Sequence, residues 1–220
     1  MNLQSLIVFI ALLELVPFSV SAQPPKLRAI SSDVQFENAN LLASIELDLN
    51  DKDHVVLWPV SHGLRKGALY GLVPVPVYVL QFLAKLPDKL IKNDDGIIRS
   101  MKEAGPVQLR FSFLRDMPAS KVIETFKEGL EANKISVRHM SAELEQFLNE
   151  IKAIGDFKKT SEFSVTTAWK DHKTTILLER PDGEIKTIAG TEEMANQLFS
   201  IWFGKPSDPK IKQLKQDLIR

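Results

Sequence analysis

Few side chains in this chain are of a kind that does chemistry, and their spacing narrows the field further. Cysteine is absent, so there is no thiolate nucleophile, no disulfide and no Cys-ligated zinc or iron–sulfur cluster. The four histidines are His54, His62, His139 and His172. None pairs at the i, i+4 spacing of a helical metal site and no HExxH occurs, so no metal is expected. His54 and His172 fall at turns; His62 is near Arg65. There is no Gly-x-Ser-x-Gly elbow, phosphate-binding loop or dinucleotide fingerprint, and no cofactor is expected. The two tyrosines of the chain, Tyr70 and Tyr78, both lie shortly after Arg65. Each phenol can donate one hydrogen bond to a ligand. Each is first of all suited to a core position with its tip at water.

The elements that would position these residues follow from the pattern of apolar residues. Residues 23–42 are polar, with Pro24-Pro25 and Ser31-Ser32, and read as a lead-in that is mostly loop. Ala43–Leu49 alternates, and after the turn at Asn50–Asp53 a second strand, Val55–Val60, completes a hairpin. The apolar stretch Ala68–Leu83 carries Pro74 and Pro76. Proline lacks a ladder donor, so this stretch is expected as an extended, bulged segment at a sheet edge or rim. A short helix is expected over Ile97–Glu103. Val107–Leu114 alternates strictly, with Val107, Leu109, Phe111 and Phe113 on one face. It leads into the helix Pro118–Asn133, whose stripe is Val122, Phe126 and Leu130. Asp116 is expected to cap that helix and Arg115 to pair locally. Ser141 caps a second helix, Ala142–Ile154.

A meander follows, with strands at Phe163–Trp169, Thr174–Glu179 and Glu184–Ile188. Thr191 caps a helix that Gly204 can end, and Asp208-Pro209 opens the last one. Strands and helices in this order give an α+β domain over residues 43–220, an antiparallel sheet covered on one face by helices.

Composition sets outer limits. The 220 residues are 44% apolar and carry 28 basic against 28 acidic side chains. That is enough for one ordinary core. With no net charge and no basic block, no nucleic-acid partner is expected. The run Leu6–Leu13, followed by Val20-Ser21-Ala22, reads as a signal peptide over residues 1–22 that is removed on export, leaving a periplasmic or secreted protein without a membrane span.

The strand Val107–Asp116 running into Pro118–Asn133, with Phe199-Ser200-Ile201-Trp202-Phe203-Gly204 and Asp208-Pro209-Lys210 near the end, resembles the chalcone isomerase-like proteins of bacteria. Gly63-Leu64-Arg65 after a strand adds to the likeness, which covers Ala43 to Leu218. The resemblance implies an open-faced sandwich with a ligand cleft between sheet and helices. It makes Arg65 the counterpart of a cleft arginine, which in plant relatives that bind fatty acids clamps the carboxylate together with a tyrosine. A guanidinium stays charged and matches a carboxylate with two donors. Tyr78 fits the tyrosine's place better than Tyr70. Phe111 and Phe113, with the Val73–Val79 segment, would surround the tail.

The plant isomerases also use a threonine on the strand after the arginine and a tyrosine ahead of the central helix. Here Lys66–Leu90 holds no Ser or Thr, and the approach to the helix reads Met117-Pro118-Ala119-Ser120. Groups that place donors at developing charge are absent from the matching positions, so no catalytic residue is expected. The expected function is binding of a small amphipathic carboxylate such as a fatty acid. The alternatives are an isomerase (intramolecular lyase) with Arg65 as electrophile and a ligand-free scaffold.

Overall fold

A computed structural model describes residues 24–50, 53–69, 73–170 and 173–220. The signal peptide of residues 1–22, Tyr70 and His172 lie outside the described residues. The strands β1 (Lys26–Phe36), β2 (Ala39–Asn50), β3 (Asp53–Leu69), β4 (Val73–Ala84), β5 (Val107–Phe113), β8 (Glu162–Lys170), β9 (Lys173–Glu179) and β10 (Ile185–Gly190) form one curled antiparallel sheet in the order β1-β2-β3-β4-β5-β8-β9-β10. The remaining two, β6 (Met117–Pro118) and β7 (Asp156–Phe157), make a separate two-residue ladder. Helices α1 (Ile97–Met101), α2 (Ala119–Ala132), α3 (Ala142–Ile154), α4 (Glu192–Phe203) and α5 (Pro209–Leu218) pack on one side of the sheet. No helix among the described residues is long and apolar enough to cross a membrane.

The apolar stripes read from the sequence meet on that side. Val107, Leu109, Phe111 and Phe113 of β5 are buried against α2 and α4. Phe111 stacks on Phe163 with ring centroids 4.3 Å apart and meets Trp202 at 5.3 Å. Offset and tilted ring pairs of this kind add attraction beyond the area buried. Where α2 crosses α4, a Cβ on Gly129 would come within 2.9 Å of Ile201 Cγ2, so glycine sets the approach of the two helices. The caps are local and as expected: Ser141 accepts from Leu144 N, Thr191 from Met194 N, and Asp208 from Lys210 N and Ile211 N.

Three expectations change. Residues 26–36 are not loop but the edge strand β1, paired with β2 through Leu27↔Leu47 and Ala29↔Ile45. An edge strand open to water on much of its length has no apolar alternation to betray it. The hairpin turn that joins it to β2 is Glu37–Asn38, both at positive φ, as a two-residue primed turn requires. Second, β4 is interior, between β3 and β5. Its prolines are tolerated because β5 pairs with β4 only from Tyr78 onward, so Pro74 and Pro76 face β3 alone, opposite Ala68 and Lys66. The expected bulge is present as a register shift between Arg65 and Lys66. Third, Asp116 does not cap α2. Its Oδ1 accepts from Lys159 N at 2.7 Å, while the α2 cap position is Pro118, and Ala119 N donates to Gly155 O at 3.0 Å. The short β6 intervenes between β5 and the helix, which carries Asp116 away from the helix start.

Candidate ligand cleft

One rung of the sheet makes the floor of the site. Arg65 on β3 lies opposite Tyr78 on β4, and Tyr78 lies opposite Phe113 on β5. Facing partners point their side chains to the same side of a sheet, here the side with the helices. Above this rung opens a cleft of about 550 Å³, within the range of small-molecule sites. One wall is α2, through Lys121, Val122, Thr125, Phe126 and Glu128. The other is the first turn of α5, through Asp208, Pro209 and Lys210, and Arg115 and Met117 close the end beyond β5.

Arg65 is buried, with 10% of its side chain exposed. A strand places it there rather than a loop. Both of its terminal nitrogens are engaged by one carboxylate: Nη1 donates to Asp208 Oδ1 at 3.1 Å and Nη2 to Oδ2 at 2.7 Å. Burial works to raise the Asp208 carboxyl, but the hydrogen bonds from Arg65 and from the Ile211 and Lys210 amides outweigh it and hold the group below its ordinary value. Asp208 is therefore an anion at neutral pH that joins β3 to the start of α5.

Tyr78 is buried at the centre of the rung, and its hydroxyl accepts from Trp202 Nε1 at 3.4 Å. Burial raises its ionisation above the ordinary phenol value, against the opposing effects of Arg65 and Trp202. The phenol stays neutral and keeps its own proton to donate. Thr125 brings a hydroxyl to the cleft, but it donates to Lys121 O at 3.0 Å, a bond within its own helix.

Residues 86–219 match the family described as chalcone isomerase-like, more than half of the chain. The chain belongs to the chalcone isomerase-like family. In structure it is similar to a fatty-acid binding protein of Arabidopsis thaliana, with a TM-score of 0.55 and 17% identity, over 86% of this chain and 95% of that one. No curated protein matches the chain in sequence. The family match spans α2, Phe113, Arg115 and the Asp208–Lys210 wall, and begins after Arg65 and Tyr78.

Of the residues singled out in the sequence, Arg65, Tyr78 and Phe113 come together at the cleft. Phe111 does not line it; it lies one layer behind, fully buried between Tyr78, Phe163 and Trp202. His62 is turned elsewhere, edge-on to Phe36 at 4.6 Å. Sequence reasoning missed Asp208 as a partner of Arg65, because it was legible only as a helix cap and its partner lies 143 positions away. It missed Arg115 as well. Expected to pair locally, Arg115 makes no ion pair among the described residues and lines the cleft instead. Among the described residues no three His, Asp or Glu side chains come together to hold a metal.

Proposed function

We propose that this protein binds a small amphipathic acid, a long-chain fatty acid, in the cleft over the Arg65–Tyr78–Phe113 rung, and does so without transforming it. The observation that carries the proposal is the mixed character of the cleft. Val75, Val77, Phe113, Met117, Val122 and Phe126 supply an apolar surface for a hydrocarbon tail, while Arg65, Arg115, Lys121 and Lys210 outnumber Asp208 and Glu128. Burying a chain of methylenes stabilises a complex by about 0.8 kcal/mol per buried group. The excess positive charge selects an acidic head. The structural neighbour named as a fatty-acid binding protein agrees with this ligand class.

Absence of turnover is part of the proposal. Among the described residues of the lining, Tyr78 and Thr125 are the hydroxyl-bearing side chains. Tyr78 is held neutral by burial and Thr125 is committed to a backbone carbonyl. Export completes it, supported by the apolar run and small residues within residues 1–22 of the sequence.

Native mass spectrometry of the purified protein, followed by extraction of bound lipid, tests this directly. A co-purifying fatty acid, or saturable uptake of added oleate by an emptied sample, is the expected outcome. Conversion of a chalcone above the uncatalysed background would replace binding by catalysis. A protein that takes up neither lipid nor chalcone would reject both.

A further inference from the structure

Resting on the ligand class proposed above, we infer that Arg115 and Lys210 hold the acidic head of the ligand, and that Arg65 is a positioning residue acting through Asp208. The two-donor edge of Arg65 that would face a carboxylate already holds one. Asp208 Oδ1 also accepts from Lys210 N at 2.7 Å and Ile211 N at 2.9 Å. A ligand carboxylate competing for that edge would have to detach the cap of α5 from β3.

The other cations of the cleft differ in how free they are. Lys121 Nζ is paired with Glu124 at 2.7 Å. Arg115 and Lys210 make no ion pair among the described residues, and both are half-buried rather than splayed into water. The acidic neighbour of Arg115, Asp116, is turned away toward the Lys159 amide. Glu128, the one other carboxylate in the lining, is exposed and lies two turns along α2 from Lys121. Arg115 leaves the end of β5, and Lys210 stands on the first turn of α5, which packs against β3. Strand β4 lies between β5 and β3, so the two cations flank the Tyr78 position from opposite sides. A head group entering between them meets a guanidinium fork from the end beyond β5 and an ammonium from the α5 wall. The tail then runs over Phe113 and toward Val122 and Phe126.

The test is titration calorimetry of the purified protein with oleate and with oleyl alcohol, which share a tail and differ in charge. Wild type is expected to prefer oleate. Arg115→Gln with Lys210→Gln should cut that preference about tenfold, as two part-exposed charges would, with the thermal midpoint unchanged. Arg65→Gln should lower the thermal midpoint and keep the preference. Should that variant not fold, Asp208→Asn serves in its place: it frees the Arg65 guanidinium and should sharpen the preference. The inference is overturned if the double variant keeps the full preference, or if Arg65→Gln abolishes it without loss of stability. Wild type that binds neither compound removes the ligand class itself. Wild type that binds both equally leaves the lipid cleft standing and removes the head-group site.

Discussion

Two arginines sit in neighbouring parts of this sheet in almost the same state of burial. Arg65 has 10% of its side chain exposed and Arg110 has 11%, so burial does not separate them. Each is held by a carboxylate, Asp208 for Arg65 and Glu162 for Arg110. Their surroundings do separate them. Arg65 faces the helices, on a rung with Tyr78 and Phe113, under an open apolar cleft. Arg110 lies on the opposite face among Ser112, Ser164 and Gln108, where Ser112 Oγ also donates to Glu162 at 3.0 Å and Gln108 Nε2 donates to Thr166 Oγ1 at 2.7 Å. The Arg110 pair is one part of a polar layer. The Arg65 pair is a single joint between a strand and a helix, with a space beside it. A buried arginine in a strand is thus no sign of a ligand site by itself; the space and the apolar wall beside it are.

Removing each arginine should break the likeness. Arg65→Gln leaves Asp208 without its only cationic partner among the described residues and loosens α5 from β3, so a loss of about 3 kcal/mol is expected, the low end for breaking a buried pair. Arg110→Gln leaves Glu162 bonded to Ser112 and more open to water, and about 1 kcal/mol is expected. Urea unfolding of both variants measures the difference. Equal losses would mean that the Arg65 pair is no more of a structural joint than its counterpart. Replacing Arg65 by Met together with Asp208→Asn should then recover stability to within about 1 kcal/mol of wild type. An asparagine still caps α5, and a well-packed apolar side chain replaces a buried ion pair at little cost.

The contrast also explains what was legible in the sequence. Everything set by neighbours a few positions apart could be read: the alternation of β5, the stripe of α2, the caps at Ser141, Thr191 and Asp208. The polar face of β5, including Arg110, was legible for the same reason. Edge strand β1 was not, because a solvated strand carries no apolar alternation. The outward half of the site was not, because it depends on which residues a fold brings together. Asp208 reaches Arg65 across 143 positions and Asp116 reaches Lys159 across 43. Arg65 and Tyr78 were singled out through the family resemblance rather than by any local pattern, and their shared rung came from the β3–β4 hairpin. Nothing local marks Arg115 as lacking an ion pair among the described residues; that depends on where Asp116 turns.

Acid titration sharpens the comparison through Asp208. Its folded carboxyl lies below the ordinary value of 3.8, so its pair and cap contribute fully above that value. The contribution is lost as pH falls below 3.8 and through the folded value, because the unfolded chain then binds the proton more readily. Asp208→Asn lacks this term. Its urea midpoint should lie below that of wild type at about pH 6, and the gap should narrow as the pH is taken below 3.8. A gap that stays constant over this range would show that Asp208 acts through its shape alone.

The smallest expected effect is at the centre of the cleft rung, where the opposite face has no equivalent phenol among the described residues. Tyr78→Phe removes one hydroxyl from a buried ring that packs on Phe111 and Phe113 at 5.2 and 5.9 Å. The rings should hold their places, since the aromatic volume is kept. The Trp202 Nε1–H then loses its acceptor, and an unpaired buried donor of this kind costs about 1 kcal/mol. Affinity for oleate should fall about threefold, the value of one neutral hydrogen bond of modest strength, and affinity for oleyl alcohol should fall similarly, because a neutral phenol donates to either oxygen. A loss confined to oleate would mean that Tyr78 senses charge, and would move the head group from the Arg115–Lys210 side of the cleft down onto the Arg65 rung.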